Sequence, residues 1–230
     1  MLNNKKILAV IPARGGSKRL HKKNILPLNG KPLIAWTIQA AKNSQYIDEF
    51  IVSTDDDEIS RISIEYGSKV LIRPGELSTD IATSIDVILH AINSIREQYD
   101  YIMLLQPTSP LRNNKDIDNA IELITKKDAK AVISVCESDH SPLWSNTLPE
   151  DGSMDDFIRE EVKSKRSQDL PSYYRLNGAI YMAEIEGLRK EKTFFLKRKT
   201  HAYIMKRENS IDIDEPLDFK IAELLSGGEK

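Results

Sequence analysis

Short β-branched runs alternate with amphipathic stretches through the first two thirds of the chain. The apolar runs are Ile7–Ile11, Phe50–Ser53, Val70–Ile72, Ile102–Leu105 and Ala131–Val135. Their brevity and β-branched content predict strands. Helical spacing separates them. Pro32–Ser44 opens with a proline suited to a first helical turn and carries Leu33, Ile34, Ile38 and Ala41 on one face. Ser84–Gln98 places Ile85, Ile88, Ile92 and Ile95 at helical intervals, and Asp116–Lys126 does the same with Ile117, Ile121 and Ile124. The run Asp55-Asp56-Asp57-Glu58 suits a helix start, because acids favour the positive end of the helix dipole. Strands alternating with helices predict βαβ units, an α/β fold and a mostly parallel sheet. Such sheets bind ligands in the loops at the carboxyl ends of their strands.

The rhythm breaks near Glu137. Residues 138–172 scatter Pro, Asp, Gly and Ser with weak periodicity, which reads as an insertion in a single domain spanning 1–230. Strand-like segments return at Ala179–Ala183 and Ala202–Met205. A last helix, Pro216–Leu225, sets Leu217, Ile221 and Leu224 on one stripe.

Composition narrows the classes. Of 230 residues, 33 are Lys or Arg and 35 are Asp or Glu, giving a net charge of −2, too little positive charge for a nucleic-acid backbone as main partner. No apolar run approaches the roughly 20 residues of a membrane span, so no membrane partner is expected. Ile7–Ile11 is too short for a signal peptide core. One cysteine, Cys136, permits no intrachain disulfide and suits a cytoplasmic location.

Candidate chemistry begins directly after the first strand, in Pro12–Asn24, PARGGSKRLHKKN. Gly15 and Gly16 allow close backbone approach, and Arg14, Lys18, Arg19, Lys22 and Lys23 can neutralise a polyphosphate held by their amides. Neither G-x-G-x-x-G nor G-x-x-x-x-G-K-[ST] is present, so this is neither a dinucleotide turn nor a Walker loop. The alternative is an exposed basic turn.

Near the other end, Ser210-Ile211-Asp212-Ile213-Asp214 alternates apolar and acidic residues. In an extended segment, Asp212 and Asp214 share one face and the isoleucines the other. Two hard oxygen ligands, completed by phosphate oxygens and water, suit Mg²⁺, with Asp218 in support. A solvated acidic edge that caps the following helix is the competing reading.

Other candidates are weaker. Gln106 and Arg112 flank the turn after the fourth strand, and Asn177 precedes a later strand, where it can face a ligand. Phe194-Phe195 is either an exposed apolar platform or plain core. His21, His90, His140 and His201 lack metal-ligand spacing, Cys136 has no partner, and no G-x-S-x-G elbow occurs.

Five ordered segments, IPARGGSKRLHKKN, RPGELSTDIATSIDVILHA, LLQPTSPLR, RLNGAIYM and SIDIDEPLDFKIAE, resemble the acylneuraminate cytidylyltransferases, which include the CMP-sialic acid synthetases and their bacterial legionaminate-type relatives. The likeness runs from Ile7 to Glu223. It implies a Rossmann-like (GT-A-like) nucleotidyltransferase fold in three layers with a small dimerisation insertion, matching 138–172. It implies CMP transfer from CTP to the anomeric hydroxyl of a nine-carbon nonulosonic acid, with release of pyrophosphate. Mg²⁺ is the implied cofactor, with Mn²⁺ as a substitute, and a homodimer the implied assembly.

By that resemblance Arg14, Lys18, Lys23 and Asp214 are catalytic, while Gly15, Gly16, Ser17, Asn24, Arg73 and Ser84 bind the nucleotide. Gln106, Arg166, Arg175, Asn177, Tyr181, Phe194 and Phe195 match the sugar pocket, and Asp212 and Asp214 the metal ligands. Three positions depart from the family pattern. His21 stands where proline is usual, Trp144 where a lysine shortly follows an H-x-P turn, and Ser167 where arginine precedes the glutamine of Q-x-L-P, with Arg166 one residue earlier. The tryptophan favours a less polar acceptor of the legionaminate type. Competing readings are a deoxy-octulosonate cytidylyltransferase, a D-x-D glycosyltransferase and a catalytically silent nucleotide-binding module.

Overall fold

The computed structural model describes residues 2–227. In chain order its elements are β1 (Ile7–Pro12), β2 (Pro27–Leu28), β3 (Lys31–Pro32), α1 (Leu33–Lys42), β4 (Glu49–Thr54), α2 (Asp57–Glu65) and β5 (Lys69–Ile72). They continue with α3 (Ser84–Ser94), β6 (Tyr101–Leu105), α4 (Asn114–Lys126), β7 (Ala131–Glu137), β8 (Tyr174–Glu184), α5 (Ile185–Glu191), β9 (Thr200–Ile204) and α6 (Pro216–Ser226).

Seven strands form one sheet in the order β5-β4-β1-β6-β8-β7-β9, while β2 and β3 pair separately. Strand β8 alone runs antiparallel, to both β6 and β7, and the remaining neighbours are parallel. The sheet is therefore mostly parallel, as the alternating pattern predicts. The exception follows from connectivity, since β7 and β8 are joined without a crossover helix.

Both faces are covered, giving three layers. Successive residues of β1 go to opposite sides. Ile7, Ala9 and Ile11 meet Ile34 and Ile38 of α1, Ile59 and Ile62 of α2, and Ile117, Ile121 and Ile124 of α4. Leu8 and Val10 meet Ile88 and Ala91 of α3 and Leu188 of α5. Dual burial explains why the strands read as continuous apolar runs.

Helix starts follow local chemistry. Asp56 caps α2 by accepting from the Ile59 amide, with Asp57 and Glu58 in the first turn, as the acidic run predicts. Thr83–Asp86 and Asn113–Asp116 form capping boxes at α3 and α4.

The predicted last helix forms with its stripe outward, and one predicted strand bound is corrected. The stripe Leu217, Ile221 and Leu224 of α6 faces outward, with Leu224 78% exposed; the helix docks through Ala222 and Phe219 on a small cluster with Leu28, Leu33, Ile211 and Ile213. Spacing marked a stripe, but the short helix leans on its other side. Strand β8 begins at Tyr174, not Ala179, because Tyr174–Leu176 pair with Val135–Glu137. Between these pairs and Ile133↔Tyr181 the register shifts, so residues 177–180 bulge opposite Ser134. Gly178 supplies the positive φ of 74° that the bulge requires.

Residues 138–172 join β7 to β8. They contain only 3-10 turns at Pro142–Trp144, Glu160–Val162 and Ser167–Asp169, and Val162 is their one buried apolar side chain. A Ser138–Tyr173 backbone bond of 2.8 Å and a Ser172–Glu137 side-chain bond of 3.0 Å close the stem.

Candidate active site

A cleft of about 660 Å³ opens at the carboxyl ends of β1, β5 and β6, beside the segment before α6. It is lined by Arg14, Ser17, Lys18, Lys23, Asn24, Arg73, Ser84 and Gln106, with Asp212 and Asp214 on its floor and side. The loop end of the first strand and the carboxylate pair, about 190 residues apart in sequence, thus share one cavity; Lys23 and Asp214 are 3.2 Å apart.

The β1 loop is held in shape by its own residues. Asn24 is buried and donates from Nδ2 to the Arg14 carbonyl at 3.0 Å, so it fixes the loop that carries Arg14. Lys22 takes a left-handed conformation, φ 53°, which turns the chain into the Lys23–Ile25 turn. Gly15 packs against Asp56, where an added Cβ would stand 2.6 Å from Asp56 Oδ2. A side chain there would force the loop away from α2. The Gly15 amide donates to Asp55 Oδ1 at 3.2 Å and the Ser17 amide to the Gly15 carbonyl at 2.9 Å. Gly16 stands in open space. Of the two glycine amides expected to cradle phosphate, that of Gly15 is thus engaged and that of Gly16 remains.

Each cation of the loop meets a carboxylate. Asp80 bridges Arg14, at 2.9 Å, and Lys18. Asp214 meets Arg19 at 3.1 Å and Lys23, whose Nζ also donates to the Ile213 carbonyl at 2.6 Å. Lys22 pairs with Glu58 at 2.6 Å. Deeper in the cleft, buried Arg73 donates from Nε to Ser78 Oγ at 3.0 Å and lies 3.6 Å from Asp55; burial lowers its pKa, against the pull of Asp55. Ser84 opens α3, so the positive end of that eleven-residue helix faces the cleft.

The carboxylate segment stands as the alternation predicts. Ile213 is fully buried and Ile211 packs beside it, which leaves Asp212 and Asp214 facing the cavity. The Ile213 amide donates to the Thr108 carbonyl at 2.8 Å, tying this segment to the turn after β6. Asp218 accepts from the Asp214 and Glu215 amides at 3.0 and 2.8 Å, so Glu215 and Asp218 form the helix cap and Asp214 does not. Burial raises the pKa of Asp212, helped by the charge of Asp214 and opposed by Thr108 and Lys23. Its Oδ1 is buried with no hydrogen-bond partner among the described residues.

That orphaned oxygen, beside a second carboxylate, fits a hard cation. No cluster of three His, Cys, Asp or Glu side chains able to hold a metal occurs among the described residues, so substrate oxygens and water would complete the shell.

The residues assigned to the sugar separate into two groups. Gln106 lines the cleft, and its Oε1 lies 2.8 Å from where a Cβ on Gly178 would stand, as Asp212 Oδ2 does at 3.0 Å. Glycine at 178 therefore keeps Gln106 and Asp212 adjacent. Tyr181 is half-buried and stacks obliquely on Phe194, with ring centroids 5.7 Å apart; burial and then Asp212 raise its pKa. Phe194 itself is core, whereas Phe195 is half-exposed.

Asn177 is corrected. It lies inside the β8 bulge with 1% exposure, not at a ligand-facing edge. Its Nδ2 donates to Ser210 Oγ at 2.9 Å, and its Oδ1 accepts from Ser134 Oγ at 2.6 Å and the Ala179 amide at 3.3 Å. The amide is spent on joining the bulge to the carboxylate segment. Arg175 is exposed near the start of β8 opposite Cys136, and Arg166 is exposed on the extension, pairing with Asp169 at 3.0 Å. Neither reaches the cleft.

Sequence reasoning missed Asp80, Asp55, Thr83 and Thr108. Asp55 could have been found, because an acidic run at the carboxyl end of a strand shares the ligand edge. Asp80 carried no such signal. Arg112, noted for its charge, is 1% exposed and donates from Nη1 to the Ala179 and Gln106 carbonyls at 3.0 and 3.3 Å. Burial pulls its pKa down to about 10. It clamps the Gln106 turn to the bulge from behind.

Comparison with known proteins matches residues 8–226 to the family described as "Cytidylyltransferase". The chain is 37% identical to the CMP-N,N'-diacetyllegionaminic acid synthase of Legionella pneumophila, over 96% of each chain. It is 40% identical to the N-acylneuraminate cytidylyltransferase of Escherichia coli O18:K1:H7 over 94% of this chain, which spans about half, 51%, of that longer protein. In fold it superposes on CMP:2-keto-3-deoxy-manno-octonic acid synthetase complexed with CTP, with a TM-score of 0.74 at 18% identity, covering 98% of this chain and 100% of that one.

Proposed function

This chain belongs to the cytidylyltransferase family, and on that footing we propose that it transfers CMP from CTP to the anomeric hydroxyl of a nine-carbon nonulosonic acid, releasing pyrophosphate. The observation that carries the reading is one cleft in which Arg14, Lys18, Lys23 and Arg73 surround a space floored by Asp212 and Asp214. A triphosphate needs several convergent cations, and phosphoryl transfer is catalysed chiefly by positioning and electrostatics.

In this reading Arg14, Lys18 and the Gly16 amide hold the outer phosphates, and the α3 N-terminus at Ser84 adds a favourable dipole. Lys23, fixed by the Ile213 carbonyl, balances charge developing at the α-phosphate. Asn24 and Arg73 bind less by reaching out than by keeping the walls in place. Asp212 and Asp214 would hold Mg²⁺, or Mn²⁺ in its stead, which would supply Lewis acidity toward the attacking hydroxyl and the phosphate. Gln106 lines the cleft on the side we assign to the acceptor, and Tyr181 lies near enough to Asp212 to feel its charge.

The acceptor belongs to the N-acetylneuraminate or legionaminate type. The legionaminate side is supported by Trp144, half-buried where a lysine is usual, and by the Legionella relative, alike over nearly its whole length. We place the enzyme in the cytoplasm as a homodimer, paired through residues 138–172, whose Leu148 and Met154 are exposed, as are Tyr174 and Leu176 of β8 and Ile204 of β9. Among the described residues no helix is long and apolar enough to cross a membrane.

Pyrophosphate release in the presence of CTP and Mg²⁺ tests the reading against N-acetylneuraminate, diacetyllegionaminate, pseudaminate and deoxy-octulosonate. Turnover with a nine-carbon acid is expected. Turnover with deoxy-octulosonate alone, or with none, overturns it.

A further inference from the structure

Asp80 sits in the cleft but is not a member of the machinery assigned above. Its carboxylate meets Arg14 at 2.9 Å and Lys18 more closely still, and both partners hold its pKa below the usual carboxylate range, Lys18 first. Asp55 accepts from the Gly15 amide and Asp56 caps α2, so both are held by main-chain bonds, while the Asp214 carboxylate meets Arg19 and Lys23. Asp80 has only its two cations among the described residues. It stands in an exposed stretch between the Gly75–Ser78 turn and the Thr83 cap, with neighbouring Ile81 89% exposed. Both ends of that stretch are pinned, one by the bond of Arg73 to Ser78 and the other by the Thr83–Asp86 box, so Asp80 can swing out without unravelling a helix or strand.

We propose that Asp80 is a resident competitor for phosphate at Arg14 and Lys18, setting the affinity of the site for the triphosphate and speeding the departure of pyrophosphate. This rests on the reading that Arg14 and Lys18 receive phosphate. A triphosphate carries several charges against one on Asp80, so it displaces the carboxylate from both cations and would be repelled by it if it stayed. When pyrophosphate loosens, Asp80 returns to the same partners. A carboxylate that merely oriented the two cations would instead help the nucleotide to bind.

Calorimetric titration with CTP and with inorganic tripolyphosphate separates these roles, using the wild type, Asp80→Asn and the charge-matched control Glu76→Gln in the preceding Gly75–Ser78 turn. Asp80→Asn is expected to bind tripolyphosphate and CTP about tenfold tighter, the sum of two partly exposed ion pairs no longer broken on binding. Inhibition by pyrophosphate should strengthen by the same factor, and Glu76→Gln should match the wild type. Unchanged or weaker binding by Asp80→Asn, beside a wild type that binds both ligands, overturns this inference alone, as does equal tightening in Glu76→Gln. A wild type that binds neither ligand overturns the cytidylyltransferase reading and this inference together.

Discussion

The cleft and the 138–172 extension are built in opposite ways. In the cleft, polar ties join segments far apart in sequence, Lys23 to Ile213 and Thr108 to Ile213, and the bond of Asn24 to Arg14 closes the loop itself. Beneath it lie Ile213 and Leu28, both fully buried. The extension has one buried apolar side chain, Val162, and local bonds such as Arg166–Asp169. The contrast teaches that the nucleotide half is preorganised by this chain's own core, which lowers the cost of aligning a charged ligand. The extension lacks such support and relies on its stem, which is why a second protomer is the proposed complement.

The sharpest way to break this contrast is to remove charge from the preorganised half. Asp212→Asn and Lys23→Gln should each lower turnover on the order of 10²-fold or more, read as pyrophosphate release. Asp212→Asn should at the same time stabilise the fold. Its pKa is raised, chiefly by burial, so above that raised value the ionised group costs the native state more than the unfolded one. The gain should be complete above the raised pKa, shrink as pH falls through it, and vanish below the unfolded value of about 3.9. Melting temperatures of the two proteins across pH would show it, and a less stable variant at pH 7 would contradict it.

Replacing residues 138–172 by a short turn tests the other half. We expect the nucleotide Kd to change by less than about twofold while acceptor KM rises about tenfold or more, equivalent to about 1.4 kcal/mol. Light scattering should report loss of the dimer. A large loss of CTP binding would show that the two halves are not separable.

Arg112→Met removes the clamp between the Gln106 turn and the β8 bulge. The Ala179 carbonyl loses the Arg112 donor, while the Gln106 carbonyl keeps those of Ser109 and Thr37, at about 1 to 3 kcal/mol, or about 2 to 4 °C in melting temperature for each kcal/mol. Acceptor KM should suffer more than the Kd of CTP, because the displaced groups border the sugar side. The smallest effect is expected for Arg166→Ala, where an exposed pair contributes less than about 0.5 kcal/mol to stability. Any change there should be confined to the acceptor KM.

Much of the architecture was readable because periodicity records which faces are apolar. The strands at Ile7, Phe50, Ile102 and Ala131, the acidic start of α2, and the outward Asp212 and Asp214 over inward Ile211 and Ile213 all follow from local alternation and capping. So does the placing of the basic loop at a strand's carboxyl end. What escaped were features set by what lies opposite. The stripe Leu217–Leu224 was visible as apolar, but its partner face was not.

The sequence by itself thus determined the α/β alternation, the apolar faces and the two charged segments that meet in the cleft, because those depend on neighbours within a few residues. Tertiary structure alone decided that β8 runs backwards, that Asn177 turns inward to Ser134 and Ser210, and that Asp80 rather than solvent faces Arg14 and Lys18. Each is a pairing between residues more than 30 positions apart. A hydrogen bond or ion pair at that range leaves no periodic trace, since any polar residue of the right reach writes the same letter whether it meets water, a ligand or the other end of the chain.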